Sequence, residues 1–341
     1  ASITGKFNIL DLPNSFKFFL SRYYPNYIGK PDYAVSDQDF TFQVETREVA
    51  QYVRLFDKRL NGFNDAVISG KLDIINSVLD LKASIPGFSY QDKQLNHVEL
   101  TGEGNSTTVS MDITAGNIKI SDSLQFPKTQ IKLSSSNDIS FINIKTSADK
   151  TLNDAELNAS VQTLPDGVKI RFFPSSFILN DKKWELAKDG ELTIRKQFVD
   201  ANEIRFVHKD QQIIIDSELS DETDQTHLTA RLQNVRLQDF TPLFMRNPKL
   251  SGAVSGKAKL SNLFGKQTVE FEGSADSFAL NDRYIGSVTL DAALNNGTGE
   301  LTFDAAAKDS GYDFQLSGEM NLKDSTRAMA IQLDAEEMNL E

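Results

Sequence analysis

Residues 253 to 260 read Ala253-Val254-Ser255-Gly256-Lys257-Ala258-Lys259-Leu260, and the same phrase stands at Val67-Ile68-Ser69-Gly70-Lys71-Leu72-Asp73-Ile74 and at Gln315-Leu316-Ser317-Gly318-Glu319-Met320-Asn321-Leu322. It consists of an apolar residue, Ser, Gly, a charged residue, and then apolar residues at every second place. Leu100-Thr101-Gly102-Glu103 is a weaker copy. A period of two on both sides of a glycine is a strand signal. Its recurrence predicts a long antiparallel sheet built by adding like units, rather than a compact enzyme around one unique site. Function is therefore sought on an extended surface.

Outward from these phrases the alternation is nearly continuous from about residue 64. It runs through Val109, Met111, Ile113 and Ala115; Leu157, Ala159 and Val161; Val168, Ile170 and Phe172; Leu192 and Ile194; and Leu228, Ala230 and Leu232. It resumes in Val269, Phe271, Gly273 and Ala275; Leu301, Phe303, Ala305 and Ala307; Tyr312, Phe314 and Leu316; and Met329, Ile331 and Leu333. The residues between are largely polar, as in Glu270, Glu272, Asp313 and Gln315, so one face is dry and the other wet. Turn signals such as Pro165-Asp166-Gly167, Asp189-Gly190 and Asn295-Asn296-Gly297 punctuate the runs, and roughly 18 to 22 strands fit.

Helical spacing is confined to three places. Phe16, Phe19, Leu20, Tyr23 and Tyr27 predict a helix over residues 14 to 28, capped by Asn14 or Ser15 and limited by Pro25. Val49, Tyr52, Val53, Phe56 and Leu60 predict a second over 47 to 60, stopped at Asn61-Gly62. Asp239-Phe240-Thr241-Pro242-Leu243-Phe244 predicts a short third with an acidic N-cap. A short helix thus precedes the repeated phrase twice. This divides the chain into a helix-containing segment at 1–63, a first β module at 64–238 and a second, continuous with it, at 239–341, with a joint near 238 to 250.

A sheet of this size with one apolar face must close into a barrel, pair with a second sheet, or curl on itself. Small apolar residues (Ala115, Ala159, Ala253, Ala258, Ala275, Ala305, Ala307) permit tight curvature, and few helices are available as cover. The expected fold is mostly β: an elongated, curled antiparallel sheet with an apolar groove, a few short helices, and two helical elements near the N-terminus. At about 4.8 Å per strand, about 20 strands give a body of about 95 Å.

Composition narrows the function. A net charge of −12, with 48 acidic residues interspersed among the Lys and Arg, argues against nucleic acid and against electrostatic docking on anionic lipid headgroups. The absence of cysteine removes disulfides, thiolate nucleophiles and Cys-ligated zinc, and fits a bacterial envelope or a cytosolic protein. The mean hydropathy of −0.35 and the lack of any run of about 18 apolar residues exclude a bundle of spanning helices. The start carries no signal-peptide pattern, and the chain reads as an interior piece of a longer one.

Catalytic and metal motifs are weak. His97, His208 and His227 are isolated and read as ordinary strand or turn residues. Gly252-Ala253-Val254-Ser255-Gly256 places its serine one position late for a nucleophile elbow. Asp221, Glu222 and Asp224 form an acidic cluster without the ordered ligand spacing of a calcium loop and read as a turn. No cofactor, metal or catalytic residue is expected. The remaining candidate is the dry face: Ile170, Phe172, Leu192, Ile194, Leu228, Leu232, Val269, Phe271, Leu301, Phe303, Phe314 and Ile331 are expected to point inward. An open apolar channel suits acyl chains, since each buried CH2 contributes about 0.8 kcal/mol without directional demands.

The stretch Val235-Arg236-Leu237-Gln238-Asp239-Phe240-Thr241-Pro242-Leu243-Phe244, followed by Leu250-Ser251-Gly252-Ala253-Val254-Ser255-Gly256-Lys257-Ala258-Lys259-Leu260, resembles the phrase found throughout the TamB and AsmA-like proteins of the Gram-negative envelope. The chain as a whole is similar to an interior portion of a Bacteroidota-type TamB. The resemblance rests on repeat style and implies a taco-shaped, repeating β-groove body in the periplasm, anchored in the inner membrane by another part of the chain. It implies a non-enzymatic conduit for phospholipid acyl chains between the two membranes, and a partner in an outer-membrane insertase-type barrel, engaged through parts not present in these residues. Two alternatives stand beside it. One is a scaffold for outer-membrane protein assembly by strand augmentation; the other is an envelope enzyme or carbohydrate-binding β-sandwich.

Overall fold

A computed structural model describes residues 1–32, 37–91, 93–120, 125–147, 152–187, 190–196, 198–219, 226–243, 247–309, 311–323 and 329–338. The acidic cluster Asp221, Glu222 and Asp224, and Asp189 of one turn signal, lie outside them. Among the described residues the chain is mostly β. Its 24 antiparallel strands belong to one sheet that is not closed into a barrel, and the helices are few and short. None of the helices is long and apolar enough to cross a membrane.

The chain divides into two compact units, Ala1–Ile178 and Leu179–Glu341. The first contains β1 (Ser2–Lys6), β2 (Asp39–Glu45), β3 (Leu60–Gly62), β4 (Val67–Asp73), β5 (Val78–Tyr90), β6 (Lys93–Gly104), β7 (Val109–Lys119), β8 (Gln125–Ser136), β9 (Ile139–Thr146), β10 (Leu152–Leu164) and β11 (Gly167–Phe172), with helices α1 (Leu12–Leu20) and α2 (Ala50–Phe56). The point of division falls in β12 (Ser176–Leu179). The second contains β13 (Lys182–Leu186), β14 (Glu191–Arg195), β15 (Phe198–Asn202), β16 (Ile204–His208), β17 (Gln211–Leu219), β18 (Thr226–Arg236), β19 (Leu250–Ser261), β20 (Thr268–Leu280), β21 (Arg283–Asn295), β22 (Glu300–Asp309), β23 (Tyr312–Asn321) and β24 (Ala330–Met338), with α3 (Leu237–Phe240) running into a 3-10 turn (Thr241–Leu243).

This division differs from the joint expected near 238 to 250. The short helix there is an excursion between neighbours: β18 and β19 pair from Leu228↔Leu260 to Arg236↔Ala253, so the sheet runs on across it. Nor do residues 1–63 stand apart, because β1 pairs with β2 and β2 with β4.

In the first unit most strands pair with the next in sequence, so side chains of like parity line up across the sheet. One row runs Ile3, Phe42, Gly70, Leu81, Gly102, Met111, Leu133, Ile142, Ala159, Phe172. A second runs Val44, Ile68, Ala83, Leu100, Ile113, Ile131, Ile144, Leu157. A third runs Phe40, Leu72, Leu79, Gly104, Val109, Ser135, Ser140, Val161, Ile170.

The chain from α1 to residue 26 covers this third row. Phe19 and Tyr23 are fully buried against Phe40, Leu72, Leu79 and Val109. Polar ties fix the cover. The Tyr24 hydroxyl donates to Ser135 Oγ at 2.6 Å, Asn26 N donates to Asp138 Oδ1 at 3.0 Å, and Gln38 Nε2 donates to Ser15 Oγ at 2.6 Å. The helix is shorter than its spacing predicts. It starts at Leu12 with Pro13 in its first turn, where the missing N–H costs nothing, and it ends at Leu20. Tyr23 therefore reaches the core from a turn, and Tyr27 is exposed. Likewise the second helix spans only Ala50–Phe56, and Asp239, expected as an N-cap, lies inside α3 and binds Lys182 Nζ at 2.5 Å.

Burial pushes the Tyr23 phenol up from its ordinary 10.0 to about 12, against the opposing pull of the Arg22 charge. The phenol donates to the carbonyl of Asn105. A folded value above the unfolded one means that its contribution to stability is intact below pH 10 and is lost as pH rises toward 12. Urea midpoints measured between pH 9 and pH 11.5 are expected to fall, and Tyr23→Phe is expected to flatten that slope.

The repeated phrase has a steric basis. A Cβ on Gly70 would lie 2.9 Å from Phe42 Cζ, and one on Gly256 would lie 3.1 Å from Phe271 Cζ. On Gly318 it would lie 2.8 Å from Phe303 Cζ. In all three phrases the glycine seats a phenylalanine ring from a neighbouring strand. A Cβ on Gly102, in the weaker copy, would make ordinary contacts with Leu81 Cβ at 3.5 Å, Met111 Cγ at 3.6 Å and Ser110 O at 3.7 Å. Gly70→Ala, which also drives a Cβ to 2.4 Å from Asp80 O, is expected to cost about 1 to 3 kcal/mol by urea denaturation. Gly102→Ala is expected to be neutral or to stabilise by up to about 1 kcal/mol.

Candidate functional site

The apolar face of the second unit is carried by four rows across its long strands. One runs Leu228, Leu260, Val269, Leu294, Leu301, Met320. Beside it runs Ile204, Ile215, Ala230, Ala258, Phe271, Ala292, Phe303, Gly318, Ile331. The third is Phe206, Ile213, Leu232, Gly256, Gly273, Leu290, Ala305, Leu316, Leu333, and the fourth is Val235, Val254, Ala275, Val288, Ala307, Phe314, Ala335. In the second row large and small side chains alternate as Phe271, Ala292, Phe303, Gly318, Ile331, so each ring has a neighbour small enough to lie over.

Ile204, Val235, Val254, Ala275 and Ala307 are buried, but the rest of these rows is not sealed. Val269, Phe271, Leu290, Ala292, Leu294, Leu301, Phe303, Phe314, Leu316 and Met320 are all half-buried, and Ile331 and Leu333 on β24 are each 48% exposed. In the first unit Phe42, Leu81, Met111, Leu133, Ile142, Ile131 and Ile144 are half-buried too, although the α1 end is closed and Ile68, Leu100 and Ile113 pack against a second buried cluster of Ala66, Ala83, Ile85, Val98 and Ala115. A sealed core would bury such rows below a few per cent, as it does Leu72 and Val109. At the α3 end of the second unit Trp184 is fully buried edge-on to Phe240, with ring centroids 5.3 Å apart.

The opposite face is charged. Glu218 on β17 takes hydrogen bonds or ion pairs from Lys257 at 2.8 Å, His227 at 3.5 Å and Arg231 at 3.6 Å, and Arg231 also binds Asp216. The Lys257 ammonium, ahead of the opposing cost of burial, holds the Glu218 carboxyl below its usual range. Lys257, Arg231 and Glu218 are partly exposed, whereas His227 is buried.

Of the expected inward residues, Leu228, Leu232, Val269, Phe271, Leu301, Phe303, Phe314 and Ile331 fall on the rows of the second unit, while Ile170 and Phe172 fall on β11 of the first. Leu192 and Ile194 fall on β14, opposite Ala201 and Val199 of β15. His208 Nδ1 lies 2.7 Å from the Lys183 carbonyl, and His227 faces Glu218. Among the described residues, no three His, Asp or Glu side chains converge in a metal-holding arrangement. Sequence reasoning missed the glycine seats, whose signal is a Phe placed to pair beside each Ser-Gly phrase, as Phe303 pairs with Gly318. No family model matches the chain, and neither the curated proteins nor the solved structures contain a match.

Proposed function

We propose that the chain is a non-enzymatic, groove-shaped segment of a TamB-like periplasmic protein, and that its curled apolar face conducts phospholipid acyl chains between the inner and outer membranes. The observation that carries this reading is the half-exposure of nearly all the side chains in three adjacent apolar rows of the second unit, on the face opposite the ion pairs of Glu218, Arg231 and Lys257. Monomeric proteins rarely leave contiguous apolar surface of this kind without a ligand for it. Rows of Leu, Val, Phe and Ala offer dispersion and desolvation at every step and no hydrogen bond that would fix one position. A hydrocarbon tail can therefore slide along them.

The test is native mass spectrometry with lipid extraction of the purified chain. Co-purified phospholipid supports the conduit. A folded chain that never carries lipid favours the strand-augmentation scaffold, and the engagement of an insertase-type barrel belongs to the full-length protein under either reading.

A further inference from the structure

The geometry points to Asn296-Gly297 as a site of spontaneous covalent modification, where the chain closes a succinimide ring and reopens it as an aspartyl or isoaspartyl link. The two residues stand in the turn between β21 and β22, just beyond the ladder pair Asn295↔Glu300, and both are exposed. Asn296 N donates to Gln267 O at 2.9 Å, which holds the backbone, but among the described residues the Asn296 side chain makes no hydrogen bond. Its amide carbon is free to swing toward the backbone nitrogen of Gly297, where no Cβ hinders the approach. The Lys323 ammonium donates a hydrogen bond to the Asn296 carbonyl, the oxygen of the same peptide group. A cation at that oxygen stabilises the negative charge left when the Gly297 N–H gives its proton to solvent base. That N–H donates to Asn295 Oδ1 at 2.9 Å, a side chain that can rotate away.

The step needs only water. The deprotonated Gly297 nitrogen attacks Asn296 Cγ, a C–N bond forms, the Cγ–Nδ2 bond breaks, and Nδ2 leaves as ammonia after taking a proton from water. Water then opens the imide at either carbonyl. Both products place a carboxylate beside Lys323, and the isoaspartyl product also lengthens the turn's backbone by a methylene, next to the apolar pair Leu294↔Leu301. Two other asparagines followed by a small residue are tied down. Asn61, before Gly62, is half-buried in β3 opposite Ser89, and its Oδ1 accepts from Arg54 Nη2 at 3.0 Å. Asn105, before Ser106, is exposed, but its Oδ1 accepts from the backbone N–H groups of Thr107 at 2.8 Å and Thr108 at 3.0 Å. Such a side chain must break its local bonds before it can cyclise. The inference does not require lipid to occupy the groove.

Peptide mass mapping of the whole chain after incubation at mildly alkaline pH tests it, with isoaspartyl content read by enzymatic methylation. Conversion at Asn296 is expected to outrun that at Asn61 and Asn105 by more than about tenfold, since local opening must precede reaction at the other two. Lys323→Met is expected to slow conversion at Asn296 about fivefold, and Asn296→Gln to remove the isoaspartyl signal. In urea Asn61 and Asn296 are expected to convert alike, with no effect of Lys323→Met. An intact Asn296 in the folded chain, conversion there no faster than at Asn61, or a rate unchanged by Lys323→Met would overturn the inference.

Discussion

Phe303→Asp is expected to strip bound phospholipid from the purified chain by more than about tenfold while leaving it folded. The ring lies between Ala292 and Gly318 in the middle of an apolar row and over the Gly318 backbone. Its removal opens a gap in the row, and the carboxylate that replaces it must keep its water. An acyl chain laid over that site would dehydrate a charge, which costs several kcal/mol, more than burying two or three CH2 groups of the tail returns. The fold tolerates the change because the ring is only half-buried and the new carboxylate can face solvent. Thr289→Asp supplies the control. It adds the same charge on β21 but on the opposite face, between Ser274 and Ala306, and lipid content should not move. Phosphorus analysis of extracted lipid, with circular dichroism as the fold check, reads both.

The second large effect is a contrast in stability. Phe19→Ala removes a fully buried ring from the cover over Leu72, Leu79 and Val109, and is expected to cost about 3 to 5 kcal/mol. Leu301→Ala, between Leu294 and Met320 in a row of large apolar residues, is expected to cost less than about 1.5 kcal/mol. Leu301 is half-buried, so its loss leaves a notch open to solvent rather than a sealed void. If the apolar face were the inside of a closed core, the two substitutions would cost alike. Urea denaturation of the two variants separates the cases.

The mostly β, single-sheet character was legible because period-two alternation is a local property: Leu301, Phe303, Ala305 and Ala307 share a face whatever lies beside them. The terminations were less legible. Spacing alone extends α1 through Tyr23 and Tyr27, whereas Tyr23 reaches the core from a turn. What fixes that turn is the Asp138 backbone N–H donating to the Tyr23 carbonyl, a contact between residues 115 apart in sequence. The glycine seats are hidden for the same reason. Gly70 looks like a bend until register places Phe42 over it. The division of the chain was masked by the helix at Leu237–Phe240, which resembles a joint in sequence yet sits between two strands that pair along their length.

One face of the sheet, and only that face, is expected to meet hydrocarbon. Photo-cross-linking residue by residue along β21 tests it directly, with a photoreactive side chain placed in turn at positions 288 to 294 and the chain loaded with radiolabelled phospholipid. Lipid adducts are predicted at Val288, Leu290, Ala292 and Leu294 and not at Thr289, Asp291 or Ala293. Adducts without that alternation, or none at any position in a folded and lipid-exposed chain, would contradict it.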